Sequence, residues 1–218
     1  MPPTLTVDSV IFQLTNDKLM VLLIKRANEP FKNSWALPGG YIAAGETTTE
    51  AMDRVLKNKA GLNSKNLGLI EQLYTFDTIA RDPRGPAVAV TYMGLGRNLA
   101  ESDDKTQHPT FFPVTDLPKL AYDHKDIIAY AHERLKSKLT YTNAIFALLE
   151  LKFSLSELQT AYEAVLDRSL DKRNFRKKFL SLGLIQPTNE YRQDGAHRPA
   201  RLYRFHHPGL QTLTRSFD

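Results

Sequence analysis

The stretch Gly40-Tyr41-Ile42-Ala43-Ala44-Gly45-Glu46, followed after seven residues by Arg54-Val55-Leu56-Lys57-Asn58-Lys59-Ala60-Gly61-Leu62, combines a tight turn with a capped helix. Pro38-Gly39-Gly40 supplies residues of the turn, and Thr47-Thr48-Thr49-Glu50 reads as a capping box opening the helix. Positions 55, 58 and 59 are then spaced i, i+3, i+4 and share one helix face. Three carboxylates so placed would gather the oxygen ligands that a hard cation such as Mg²⁺ requires. The residues present are Val55, Asn58 and Lys59, of which two carry no charge and the third repels a cation. Glu46, Glu50 and Asp53 are close enough in sequence to offer a rearranged metal site, although acids near a helix start also simply favour its dipole.

A chain of 218 residues can form one large or two small domains, each with its own core. No run approaches the roughly eighteen apolar residues of a membrane span, and Met1-Pro2-Pro3 does not open a signal peptide, so a soluble cytoplasmic protein is expected. The absence of cysteine excludes disulfides, thiolate nucleophiles and zinc-thiolate sites. Charge is distributed unevenly. Residues 1–137 carry 16 Lys and Arg against 16 Asp and Glu, whereas residues 138–218 carry 13 against 8, so the whole excess of +5 sits in the last third. Such asymmetry points to a polyanion as partner of the C-terminal part.

Leu5 to Leu14 and Leu19 to Arg26 have the composition of strands, joined by the polar turn Thr15-Asn16-Asp17-Lys18. Further strand-like runs, Leu69 to Asp77 and Ala87 to Leu95, flank Ala80-Arg81-Asp82-Pro83-Arg84-Gly85-Pro86, a loop too rich in Pro and Gly for regular structure. From Asp123 to Leu139, Ile127, Ile128, Ala131 and Leu135 recur at helical spacing and close the unit. Mixed strands with two helices predict an α/β sandwich over residues 1–137.

Residues 138–218 show three short helical patterns, Thr140 to Leu151, Ser156 to Leu166 and Lys172 to Leu182, with Ser154 and Asp171 as caps of the second and third. In the third, Phe175, Phe179 and Leu182 fall on one face, and Arg173 and Lys177 on the other, bordered by Asn174, Arg176 and Lys178. From Arg168 to Lys178, six of eleven residues are Lys or Arg and only Asp171 is acidic, which exceeds ordinary solvation and lacks the alternating signs of an ion-paired helix. A cationic, amide-bearing face of this kind suits a major groove, where Arg reads guanine and Asn reads adenine. The segments around Ile185 and Leu202 then read as a hairpin with Arg192, His197, Arg198 and Arg201 near its tip, placed to meet phosphates or the minor groove. The expected DNA-contacting set is therefore Lys172, Arg173, Asn174, Arg176 and Lys177 in the helix, with those four in the hairpin.

The stretch from Gly40 to Leu62 resembles the Nudix box, a pattern of Gly, any five, Glu, any seven, then Arg-Glu-aliphatic-any-Glu-Glu-any-Gly-aliphatic, in which Val55, Asn58 and Lys59 stand where the metal-binding glutamates belong. Arg81-Asp82-Pro83-Arg84-Gly85, Phe112-Pro113 leading to Leu117-Pro118, and Ala121-Tyr122-Asp123-His124 narrow the resemblance to a branch containing ADP-ribose pyrophosphatases and the NrtR transcriptional regulators. A degenerate box followed by a winged helix is similar to NrtR over essentially the whole chain. That resemblance implies a Nudix α/β/α sandwich that senses ADP-ribose, followed by a winged helix-turn-helix domain that represses genes of NAD synthesis or salvage.

For such a ligand, two linked phosphates need fixed cations and an adenine needs an aromatic face. Arg26, Arg81 and Arg84 are the expected phosphate forks, because a guanidinium binds phosphate through two parallel bonds. Phe31, Trp35, Phe76 and Tyr122 are aromatic candidates, although Trp35 and Phe76 suit a core equally well. Asp123 is placed to cap the last helix and His124 to face the pocket. The expectation is a repressor without enzymatic activity, metal or cofactor, acting as a homodimer on double-stranded operator DNA. The alternatives are an ADP-ribose pyrophosphatase with an irregular metal site, and a regulator of the same architecture that responds to a sugar.

Overall fold

A computed structural model describes residues 2–100, 107–193 and 199–213. Strands β1 (Thr4–Thr15) and β2 (Lys18–Lys25) form a hairpin whose two central residues, Asn16 and Asp17, adopt φ 50° and 60°. Positive φ at both positions gives the turn the twist that antiparallel strands need. β3 (Trp35–Ala36), β4 (Gly39–Tyr41), helix α1 (Thr48–Ala60), β5 (Leu69–Phe76), β6 (Ala87–Leu95), β7 (Thr110–Pro113) and helix α2 (His124–Tyr141) follow. The sheet runs β3-β2-β1-β6-β5, with β4 joined to β1 and β7 to β2. Alternate side chains of β1 point to opposite faces. Val7 and Ile11 pack with Met52, Val55 and Leu56 of α1, and Val10 and Phe12 pack with Ile127, Ile128 and Ala131 of α2. The result is the expected three-layer α/β/α sandwich.

Helix α1 begins as its capping box specifies: the Thr47 hydroxyl accepts from the Glu50 N–H, and the Glu50 carboxylate accepts from the Thr47 N–H at 2.8 Å. Gly61 ends it at φ 70°, the left-handed conformation that satisfies a terminal carbonyl. The tight turn expected at Gly39 and Gly40 is instead strand β4, paired with Val7 and Asp8 of β1. The glycines allow this close approach, because a Cβ on Gly39 would lie 1.9 Å from the Asp8 carboxylate.

The helix expected over Thr140 to Leu151 does not form. α2 continues to Tyr141 and so runs across the expected division at 137/138; only a 3-10 turn, Ala144–Ala147, follows. The cause is hydrogen bonding by two side chains, local for Thr142 and long-range for Asn143. The Thr142 hydroxyl donates to the Lys138 carbonyl at 2.7 Å and accepts from the Ala144 N–H at 3.2 Å. The Asn143 amide donates to Gly209 and its oxygen accepts from Gln211, holding the last described segment against the end of α2.

Beyond this turn lie β8 (Phe153–Ser154), α3 (Leu155–Leu166), α4 (Lys172–Ser181), β9 (Ile185–Arg192) and β10 (Ala200–Phe205), the strands ordered β8-β10-β9. Ser154 and Glu157 form a capping box on α3, and Asp171 caps α4. Tyr162 of α3 meets Phe175 and Phe179 of α4 with ring centroids 5.4 and 5.7 Å apart. Each buried side chain of this size contributes roughly 1.5–3 kcal/mol. Two helices and a hairpin in this order make a winged helix. Its core is continuous with that of the sandwich, and the His132 ring nitrogen Nε2 lies 2.7 Å from the Val165 carbonyl across the join. No helix among the described residues is long and apolar enough to cross a membrane.

Candidate functional site

β1, β4, α1, the loop between β5 and β6 and the start of α2 enclose a cleft of about 380 Å³. At its foot Arg81 donates from Nε and Nη2 to the two oxygens of Asp123, each at 2.9 Å, and Nη2 also reaches Asp8 at 3.4 Å. The Arg81 side chain is only 6% exposed, so it is a structural cross-link and not the open phosphate fork expected of it. Asp123 holds the capping position of α2 but makes no capping bond, because its carboxylate is turned to Arg81.

Burial pushes the Asp8 carboxyl up to about 6, against the pull of Arg81 and with a smaller push from Asp123. Burial likewise holds His124 down to about 3, with Asp123 opposing and Arg81 adding to the effect. The Nδ1 of His124 accepts from the Leu37 N–H at 2.9 Å, which places the ring proton on Nε2. The 3.9 Å approach of that nitrogen to Asp8 therefore joins a neutral ring to an acid and is not an ion pair.

Nearer the mouth, the Arg26 guanidinium lies 4.8 Å over the Tyr122 ring while its Nε donates to the Pro30 carbonyl. Phe31, expected in the pocket, meets Tyr122 edge-on at 4.9 Å and is exposed, but it is not among the residues that line the cleft. Arg84 is held by Asp82 and by the Tyr41 hydroxyl, each at 2.6 Å. Trp35 departs from expectation: pairing of β3 with the end of β2 sets it against Phe112, at 4.7 Å, on the α2 side of the sheet and outside the cleft. Phe76 likewise packs with Tyr74 and Tyr130, away from the cleft.

Helix α1 presents Arg54, Val55, Asn58 and Lys59 to the cleft. The divalent metal that a Nudix fold implies does not fit this wall. Val55 is buried apolar surface, and Lys59 brings a cation to the place of a carboxylate. The rearranged alternative is not assembled either. Glu46 pairs with Arg54 at 2.6 Å, Glu50 closes the capping box, and Asp53 accepts from Ser64 N–H and hydroxyl at 2.7 and 2.9 Å. No cluster of three or more metal-ligating side chains occurs among the described residues.

The second surface is α4. Its Phe175 and Phe179 are buried, and Lys172, Arg173, Asn174 and Lys177 are exposed on the far side. Arg176 differs from the expectation: it is half-buried and donates to the Ser156 hydroxyl at 3.0 Å, fastening α4 to α3. Arg192 is also engaged internally, bonded to Glu157 and to the Lys152 carbonyl, so it anchors the hairpin instead of extending from it. Arg201 is exposed, with Nε donating to Thr188. His197 and Arg198 lie outside the described residues. Asp8 and Tyr41 were missed from sequence; an acid set between Val7 and Val10 in an apolar strand was the available signal for the first.

Comparison with known proteins matches two family models to this chain. The model of the NUDIX domain matches residues 4–131, and that of the NrtR DNA-binding winged helix domain matches residues 145–205. The chain is 36% identical over 210 residues to an Acinetobacter baylyi protein described as an ADPR responsive transcriptional repressor, covering 93% of this chain and 82% of that one. It is 40% identical over 128 residues to an ADP-ribose pyrophosphatase of Methanocaldococcus jannaschii, covering 58% of this chain and 71% of that one. Its structure superposes on that of Shewanella oneidensis NrtR complexed with a 27mer DNA with a TM-score of 0.84 and 32% identity, covering 98% of this chain and 99% of that one. A Nudix sandwich and an NrtR-type winged helix, joined through one core, place the chain in the NrtR family of transcriptional regulators.

Proposed function

We propose that this chain is a transcriptional repressor that reads double-stranded operator DNA through residues 138–218 and senses ADP-ribose or a related nucleotide through residues 1–137. The observation that carries this function is α4, capped by Asp171, seated on α3 through Phe175 and Phe179, and exposing Lys172, Arg173, Asn174 and Lys177 together. A helix so mounted can enter a major groove with both base-reading and phosphate-binding side chains forward. The effector is supported by a cleft that combines Arg26, Arg84, Tyr41 and Tyr122, and by the relative from A. baylyi described as ADPR responsive. The genes expected under its control are those of NAD synthesis or salvage, as the family resemblance implies. Catalysis is not expected, because Val55, Asn58 and Lys59 leave no carboxylate cluster to hold a metal that activates water. The protein acts in the cytoplasm, where its operator is.

A single winged helix buries too little surface for specific binding, so a homodimer on two half-sites belongs to the proposal. The exposed aromatic pair Tyr74 and Tyr130, 5.2 Å apart beside the end strand β5, offers a surface for that pairing.

An electrophoretic shift of the full chain on its own upstream region, with and without ADP-ribose, tests the proposal. A specific shift altered by ADP-ribose is expected. Absence of any specific shift removes the reader, and a shift altered by a pentose instead of ADP-ribose moves the effector to the sugar class. The likeness to the M. jannaschii pyrophosphatase favours a second reading, a Nudix hydrolase, for which Mg²⁺-dependent turnover of ADP-ribose at an ordinary enzymatic rate would decide.

A further inference from the structure

We propose that Lys59 replaces the divalent cation of a Nudix site, its ammonium acting with the Arg26 guanidinium as built-in counter-charge for the ligand's two phosphates, so that binding needs no metal. This inference rests on the nucleotide-diphosphate ligand proposed above and goes beyond the loss of hydrolysis. A metal bound to a diphosphate does two separable things: it neutralises phosphate charge and it activates water. A lysine at the same wall can do the first and not the second.

The pairing of charges in the cleft singles out these two residues. Arg81 is taken up by Asp123 and Asp8, Arg84 by Asp82, and Arg54 by Glu46. Glu29, the other acid of the lining, accepts from the Lys32 N–H. Lys59 and Arg26 line the same cleft, and neither forms an ion pair with a described residue. Two cations without counter-ions, one a compact ammonium and one a fork, match the two negative charges of a diphosphate diester. They also strain one another: burial and then the charge of Arg26 hold the Lys59 pKa below the ordinary lysine range, with Asp8 opposing. An arriving dianion relieves that repulsion. The same two cations repel Mg²⁺ until the anion is present, and Val55 offers it no oxygen ligand.

Calorimetric titration of the full chain with ADP-ribose, in EDTA and again in excess Mg²⁺, tests this without any variant. Equal affinity within about twofold is expected. Lys59→Met should weaken binding by at least about tenfold, Lys59→Arg should retain most of it, and Lys57→Met, on the exposed face of the same helix, should leave it unchanged. The triple change Val55→Glu, Asn58→Glu, Lys59→Glu should make binding weak in EDTA and restore it with Mg²⁺. Wild-type binding that appears only with Mg²⁺, or a folded Lys59→Met protein that binds as tightly as wild type, overturns the role of Lys59 while leaving the ligand in place. No saturable binding in either buffer overturns the ligand assignment and this inference with it.

Discussion

Arg81 grips Asp123 with two bonds of 2.9 Å, tying the loop after β5 to the residue that precedes α2 across 42 positions of sequence. Asp8 of β1 completes the join from below, so three separate segments meet on one guanidinium at the foot of the cleft.

Arg81→Ala should therefore destabilise the fold. Removing one partner of a buried ion pair leaves uncompensated charge and costs roughly 3–5 kcal/mol. Urea denaturation should show a lowered midpoint with little change in slope. Were the midpoint unchanged and only ADP-ribose binding lost, Arg81 would be a ligand fork after all.

Asp8 and His124 should answer pH in opposite senses. With its pKa raised from 3.8 to about 6, Asp8 contributes stability that is complete below 3.8 and lost as pH rises through about 6. With its pKa lowered from 6.5 to about 3, His124 contributes stability that is complete above 6.5 and lost as pH falls toward 3. The two effects oppose one another between 3.8 and about 6. Asp8→Asn should make stability fall more steeply than in the wild type as pH is lowered through that window, and His124→Gln should shift the slope the other way. Parallel stability profiles for wild type and both variants would contradict the assignment.

Gly39→Ala places a Cβ 1.9 Å from the Asp8 carboxylate and should cost about 1–3 kcal/mol, the range for overpacking a tight site. Asp8→Ala in the same chain should remove most of that penalty. A thermal-denaturation cycle over the two single variants and the double variant measures the coupling, and strict additivity would mean that the strand and the carboxylate do not meet as described.

The two kinds of basic residue in the winged helix should separate on DNA. Arg173→Ala or Asn174→Ala should lower operator affinity by roughly 1–3 kcal/mol and relax one base position in each half-site. Arg201→Ala should weaken operator and random duplex alike and flatten the salt dependence by about one unit. Arg176→Ala should lower the unfolding temperature instead, because its side chain bonds to Ser156 and lies between helices. Binding isotherms over a salt series distinguish these outcomes, and an Arg173→Ala, Asn174→Ala pair indistinguishable from wild type would remove α4 as the reading helix.

What the sequence by itself determined is what neighbouring residues enforce. The Asn16-Asp17 turn, the Thr47–Glu50 and Ser154–Glu157 boxes and the Asp171 cap each act over two or three positions, and apolar periodicity then assigns faces to the strands and helices between them. The break after Tyr141 is local chemistry only at Thr142, whose bonds the apolar spacing over Thr140 to Leu151 masked; Asn143 is held by Gly209 and Gln211, 66 and 68 positions away. The tertiary structure alone decided which charges remained available. Arg81, Arg176 and Arg192 look as free in sequence as Arg26 and Arg173, yet their partners Asp8, Ser156 and Glu157 lie 73, 20 and 35 positions away. A guanidinium binds whichever carboxylate, hydroxyl or phosphate reaches it at low desolvation cost, and only the folded chain brings one within reach.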